Sequence, residues 1–126
     1  MKLILDTHAV LWAVQSPEKL SRTAAGLIEG SNELLISLAS LWEMVIKCSI
    51  GKLSIGGAID DVFPEIVDSL DAQLLGILPE HLFEVAKLPP IHADPFDRLL
   101  IAQAIHEGAA IVTADPAIAK YIPVAW

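Results

Sequence analysis

Short apolar runs alternate along the chain with longer stretches in which apolar positions recur every three or four residues. Leu3 to Leu5 forms the first run and reads as a buried strand, and Thr7 through Val14 follows with helical spacing. Ser21 is placed to cap a second helix reaching about Glu29. Leu34-Leu35-Ile36 is a second short strand, and Ser37 can cap a long helix towards Ser49 that Gly51 ends. Gly56 to Leu70 carries a helical pattern and Gln73 to Leu78 a strand pattern. Pro79 suits the first turn of a helix reaching Lys87. Pro89-Pro90 breaks the chain, after which Asp94-Pro95 opens a helix to about Glu107 that Gly108 closes. Ala110 to Thr113 is a further strand, Asp115-Pro116 opens a last short helix, and a terminal strand is expected near Val124.

Strands alternating with helices predict an α/β fold in which a central parallel sheet carries helices on both faces. Ligands bind such sheets outside the carboxyl ends of the strands, so residues just after each strand are the first candidates for chemistry. Nothing along the chain repeats, and no linker or low-complexity run divides it. Its 126 residues are therefore read as a single domain, 1–126.

Composition narrows the setting. Cys48 is the only cysteine, which excludes an intramolecular disulfide or a thiolate metal cluster and fits a cytoplasmic protein. The opening apolar stretch stops at Asp6, too soon for a signal peptide or a membrane span. Hydrophobic residues make up 54% of the chain and the mean hydropathy is +0.57, so apolar surface is expected to remain for a second copy or a partner protein. The net charge of −8 argues against a nucleic-acid binder held on by a basic surface. That objection weakens if several carboxylates hold divalent cations, which then present positive charge to a phosphate.

The acids are individually ambiguous. Asp6 and Asp115 each follow a strand and precede a helix, so helix capping accounts for either one alone. In Asp94-Pro95-Phe96-Asp97, Asp94 is a natural cap and Pro95 a natural first helical residue. Asp97 then falls in the first turn, ahead of the apolar run Leu99-Leu100-Ile101-Ala102 that carries the helix into the core. Glu43 can pair with Lys47 four residues on, yet Leu38, Leu41, Trp42, Val45 and Ile46 nearly encircle it, so a partner or a metal is expected. Four carboxylates meeting at one sheet edge would repel one another unless a cation joined them. Mg²⁺ or Mn²⁺ suits oxygen donors, whereas His8, His81, His92 and His106 show no zinc-type pairing and read as structural or surface residues.

Four motifs in order carry a family resemblance: Leu5-Asp6-Thr7, Ser40-Leu41-Trp42-Glu43, His92-Ala93-Asp94-Pro95-Phe96-Asp97-Arg98 and Thr113-Ala114-Asp115. Together they resemble the PIN-domain pattern over essentially the whole chain. The Asp-Pro-Phe-Asp-Arg version, followed by Leu-Leu-Ile-Ala-Gln-Ala and closing Tyr121, Val124 and Trp126, is similar to VapC-like toxins of toxin–antitoxin pairs. The resemblance implies a PIN-like fold and an acidic quartet of Asp6, Glu43, Asp97 and Asp115 binding Mg²⁺ or Mn²⁺. It also implies cleavage of single-stranded RNA, a homodimer and a VapB-like antitoxin. Asp94 is an additional possible ligand, with capping its simpler role. Thr7, Ser37 and Thr113 are candidates to fix the rotamers of metal-bound carboxylates, or else serve as caps. Lys47 and Arg98 are candidate RNA contacts, while Lys52 reads as ordinary solvated charge. The helices before Asn32 and between Leu53 and Leu70 are the expected protein-contact surface.

Other classes fit less well. A receiver-type signalling domain needs paired acids after its first strand and a lysine after its last, where this chain has a lone Asp6 and Asp115. A haloacid-dehalogenase-type phosphatase needs a second aspartate where His8 stands. A catalytically silent PIN-fold binding module is the remaining alternative.

Overall fold

The computed structural model describes residues Met1–Trp126. Five strands, β1 (Lys2–Leu5), β2 (Glu33–Ser37), β3 (Gln73–Leu75), β4 (Ala110–Val112) and β5 (Val124–Ala125), form one sheet in the order β3-β2-β1-β4-β5. Every pairing is parallel, with Leu3 facing Leu34 on one side and Ala110 on the other. Six α-helices connect them: α1 (Thr7–Gln15), α2 (Arg22–Glu29), α3 (Leu38–Ser49), α4 (Ile59–Ser69), α5 (Pro79–Lys87) and α6 (Pro95–Glu107).

The two-residue period of the strands sorts the core into two layers. Leu3, Leu5, Leu34, Ile36 and Val112 point into one cluster with Ala9, Val10, Met44, Phe63 and Ile66 from α1, α3 and α4. Ile4, Leu35 and Ile111 point the other way, against Leu100, Ile101 and Ala104 of α6. The sheet is therefore covered on both faces, as the uninterrupted apolar runs predict. From β1 the chain first winds outward through β2 and β3, then returns to lay β4 on the opposite side. That reversal opens a crevice at the carboxyl ends of β1 and β4.

A buried polar bridge ties the helices that flank the crevice. Gln103 of α6 is fully buried; its Oε1 accepts from Ser37 Oγ at 2.6 Å and its Nε2 donates to the Gly76 carbonyl at 3.2 Å. Ser37 Oγ also accepts from the Ala39 amide and so caps α3. Ser37 thus joins α3 to α6 rather than touching a carboxylate, and the expected role beside the acids does not apply to it.

Several boundaries differ from those expected. α4 begins at Ile59, not Gly56, because Gly56 has φ +80°, outside the helical region. β3 stops at Leu75, where its partner β2 ends at Ser37 and turns into α3. After Asp115 the chain makes only a 3₁₀ turn at Ile118–Lys120. The helices expected to form the contact surface keep their large apolar residues at least partly buried. Leu27, Ile28, Ile59, Val62 and Val67 of α2 and α4 pack against the core. Most of the exposed large apolar side chains lie on α3 (Leu38, Trp42, Val45), just after it (Ile50), and from Leu74 to Phe83, with Met1, Ile91 and Ile105 elsewhere. No helix is long and apolar enough to cross a membrane.

Candidate active site

Asp6, Glu43, Asp97 and Asp115 come from four different segments and line one open pocket of about 390 Å³ at the crevice, together with Asp94. Thr7, His8, Trp12, Lys47, His92 and Ala114 complete its wall. Five carboxylates thus face a single lysine.

Asp6 follows β1 at the centre of the sheet and is only 7% exposed. Its two oxygens divide their work: Oδ1 accepts from the Ala9 amide and caps α1, and Oδ2 accepts from the Thr113 hydroxyl, just past β4. Burial pushes its pKa above the ordinary 3.8; the Thr113 and Ala9 hydrogen bonds and nearby His8 pull it down, while Asp115 adds to the rise. Thr113 Oγ1 also accepts from the Asp115 amide at 3.0 Å, and Asp115 Oδ1 accepts from the Ala117 amide. Glu43 reaches the pocket from α3, where Thr7 Oγ1 donates to its Oε1 at 2.5 Å and Lys47 Nζ lies 2.9 Å from its Oε2. The local pair expected from sequence exists, and it lies inside the pocket. Thr7 and Thr113 both touch carboxylates; Lys47 is committed to Glu43.

Asp97 sits in the first turn of α6. Its pKa is pushed up to about 6, chiefly by burial, with Asp94 and Asp115 adding to the rise and His92 opposing it. Asp94 Oδ1 accepts from the amides of Phe96 and Asp97, so this residue caps α6 as its simpler role predicts. His92, read from sequence as structural or surface, enters the cluster: its Nε2 lies 2.8 Å from Asp97 Oδ2 and 3.6 Å from Asp115 Oδ2. The signal for it was its place five residues before Asp97, which carries no periodic pattern.

Arg98 explains how His92 gets there. It was a candidate RNA contact, but its guanidinium is engaged within the protein: Nη1 donates to the carbonyls of Pro89 and His92 and to Tyr121 Oη, and Nη2 donates to the carbonyls of Val85 and Leu88. Tyr121 Oη also accepts from the amides of Ile91 and His92 and donates to Pro89 O at 2.8 Å. These two side chains clamp the Pro89-Pro90 loop and present His92 to the acids.

The donor set is hard and anionic, and the pKa of both Asp6 and Asp97 is raised by burial that protein cations do not offset. Both features fit a divalent, oxygen-loving cation. A second group, His81, His106 and Glu107, lies at the far end of α6. There His81 Nδ1 accepts from the Leu78 amide, so in the neutral ring Nε2 carries the proton and has no lone pair for a metal.

Two outcomes follow from this geometry. Because Asp97 binds its proton more tightly folded than unfolded, its favourable contribution is complete below the unfolded value and is lost as pH rises through about 6. In metal-free buffer, urea titrations from about pH 4 to about pH 7 should show wild type losing stability relative to Asp97→Asn; parallel curves would contradict the environment described. Tyr121→Phe should speed hydrogen exchange at the Ile91 and His92 amides by about tenfold, the worth of roughly one lost hydrogen bond, and unchanged exchange would show that the clamp does not hold the loop.

The PIN domain family model matches residues 3–122. Ribonuclease VapC22 of Mycobacterium tuberculosis (strain ATCC 25618 / H37Rv) is 27% identical over 114 residues, spanning 90% of this chain and 86% of that protein. Among solved structures, VapBC2 from Rickettsia felis bound to a DNA fragment from their promoter contains a chain with a similar fold, at TM-score 0.72 and 16% identity. That match covers 98% of this chain and 96% of the other. VapBC-1 from nontypeable Haemophilus influenzae gives a TM-score of 0.61 at 14% identity, over 95% and 91% of the two chains. With the family pattern spanning nearly every residue that builds the sheet and the pocket, the chain belongs to the PIN-domain family.

Proposed function

We propose that this chain is a divalent-metal-dependent endoribonuclease of the VapC type, the toxin half of a VapBC-like pair. The observation that carries this reading is the convergence of Asp6, Glu43, Asp97 and Asp115 in one pocket, where burial outweighs the pull of His8 on Asp6 and of His92 on Asp97. The similarity to a protein named as a ribonuclease supports the choice of substrate. The chain acts as one domain, 1–126, in the cytoplasm, as a homodimer restrained by a VapB-like antitoxin.

Asp6, Asp97 and Asp115 are assigned to hold Mg²⁺ or Mn²⁺, with Glu43 either a fourth ligand or the group that orients the attacking water. When bound, the ion supplies positive charge that eases deprotonation of water and offsets charge on the phosphoryl and leaving oxygens. The protein residues prepare that site. Thr113 and the Ala9 amide fix both oxygens of Asp6, and Thr7 and Lys47 fix both oxygens of Glu43. His92 holds Asp97 through Oδ2. No side chain in the pocket needs to act as a nucleophile. The acidic surface that argued against nucleic-acid binding becomes the ligand set for the cation that meets the phosphate.

The direct test is incubation of antitoxin-free protein with total RNA and Mn²⁺ or Mg²⁺, beside an EDTA control and Asp97→Ala. Cleavage should require metal and fall by more than about 100-fold in the variant, since even groups behind the ligands are worth ~10–100-fold. Inert wild type across varied RNA pools with both ions would favour the silent binding-module reading.

A further inference from the structure

The acids account for a phosphodiester but leave unexplained what receives the base attached to it. Half of the six non-acidic residues in the pocket wall, Thr7, His8 and Trp12, come from α1. Asp6 caps this helix, and His8 and Trp12, four residues apart and so on one helical face, both line the pocket. Their rings lie 5.5 Å apart, centroid to centroid, with a 37° tilt. Trp12 also packs against Trp126, which does not line the pocket, at 5.8 Å and 59°. His8 is exposed and Trp12 half-buried, so the indole is anchored in the protein yet reaches the pocket surface.

We propose that Trp12, with His8 beside it, is a base-stacking subsite for an unpaired nucleotide next to the phosphate held at the acids. This rests on the ribonuclease reading. The pocket volume of about 390 Å³ falls in the range of small-molecule sites and suits one nucleotide. Affinity from phosphate contacts is scarce, because Lys47 is the only lysine lining the pocket and is paired with Glu43. Stacking supplies affinity that needs no cation, and it accepts any base because every base presents a π face. A base already stacked and paired in a duplex cannot turn onto Trp12 without first leaving its helix, so the subsite selects unpaired RNA. Trp42, though more exposed, does not line the pocket and instead packs edge-on against Phe96.

The test uses the full chain with Mn²⁺, a fluorescently labelled single-stranded oligoribonucleotide with phosphorothioate linkages, and anisotropy, with probe integrity checked on a gel. Mn²⁺ affinity is measured separately by calorimetry. Trp12→Ala should weaken oligonucleotide binding by about tenfold or more, Trp12→Phe should retain most of it, and His8→Ala should lose less than Trp12→Ala. Mn²⁺ affinity should stay at the wild-type value in all three, and Trp42→Ala should bind the probe as wild type does. Wild-type probe affinity in Trp12→Ala, with RNA cleavage intact, would overturn the subsite while leaving the ribonuclease standing. Equal losses in Trp12→Ala and Trp12→Phe accompanied by lost Mn²⁺ binding would overturn it too, by reducing Trp12 to a packing residue. A wild type that binds Mn²⁺ but neither binds nor cuts RNA would remove the ribonuclease reading and the subsite with it.

Discussion

A carboxylate that is nearly out of water has to be compensated, and Asp6 sets that requirement at the centre of the molecule. It stands where β1 ends, between β4 and the start of α1, with 7% of its surface exposed. A hydroxyl and an amide hydrogen-bond its two oxygens, yet burial remains the largest influence on its ionisation. Asp115 beside it adds repulsion. The parallel pairing of β1 with β4 makes this crowding unavoidable, because a register that aligns Leu5 with Val112 brings the residues after both strands to the same edge. That register places Asp6 and Asp115 in the same pocket.

Capping and metal chemistry do not compete for these acids. One oxygen of Asp6 accepts from the Ala9 amide of α1 and the other accepts from the Thr113 hydroxyl; Asp94 caps α6, so Asp97, one turn inside, is free to face His92 and the pocket. Helix N-termini also carry partial positive charge, which moderates the cost of gathering anions there. The scaffold thus lowers the repulsion without neutralising it.

The sheet was largely legible in the sequence because a parallel strand buried on both faces must be apolar throughout, and Leu3 to Leu5, Leu34 to Ile36 and Ala110 to Val112 are. The acids were legible for a related reason: strand ends in this architecture share an edge. His92 and Arg98 were not. The position of His92 depends on a loop held by Arg98 and by Tyr121, 29 residues away, and no local spacing reports such a contact. Of the two roles open to Ser37 the structure shows the cap; sequence left the choice open because a hydroxyl at a strand end looks the same whether it faces a carboxylate or a glutamine. The sequence implied exposed apolar surface without locating it: amphipathic α2 and α4 turn much of their apolar faces inward while α3 and α5 keep part of theirs outside.

The acidic pocket is proposed to be a divalent-cation site. Crystals of the protein grown with Mn²⁺ would test it through the anomalous difference map. The account predicts a peak among Asp6, Asp97 and Asp115, at oxygen distances of about 2.0–2.4 Å as expected for hard cations. A map with no peak in that pocket, or with Mn²⁺ bound only elsewhere on the molecule, would contradict it.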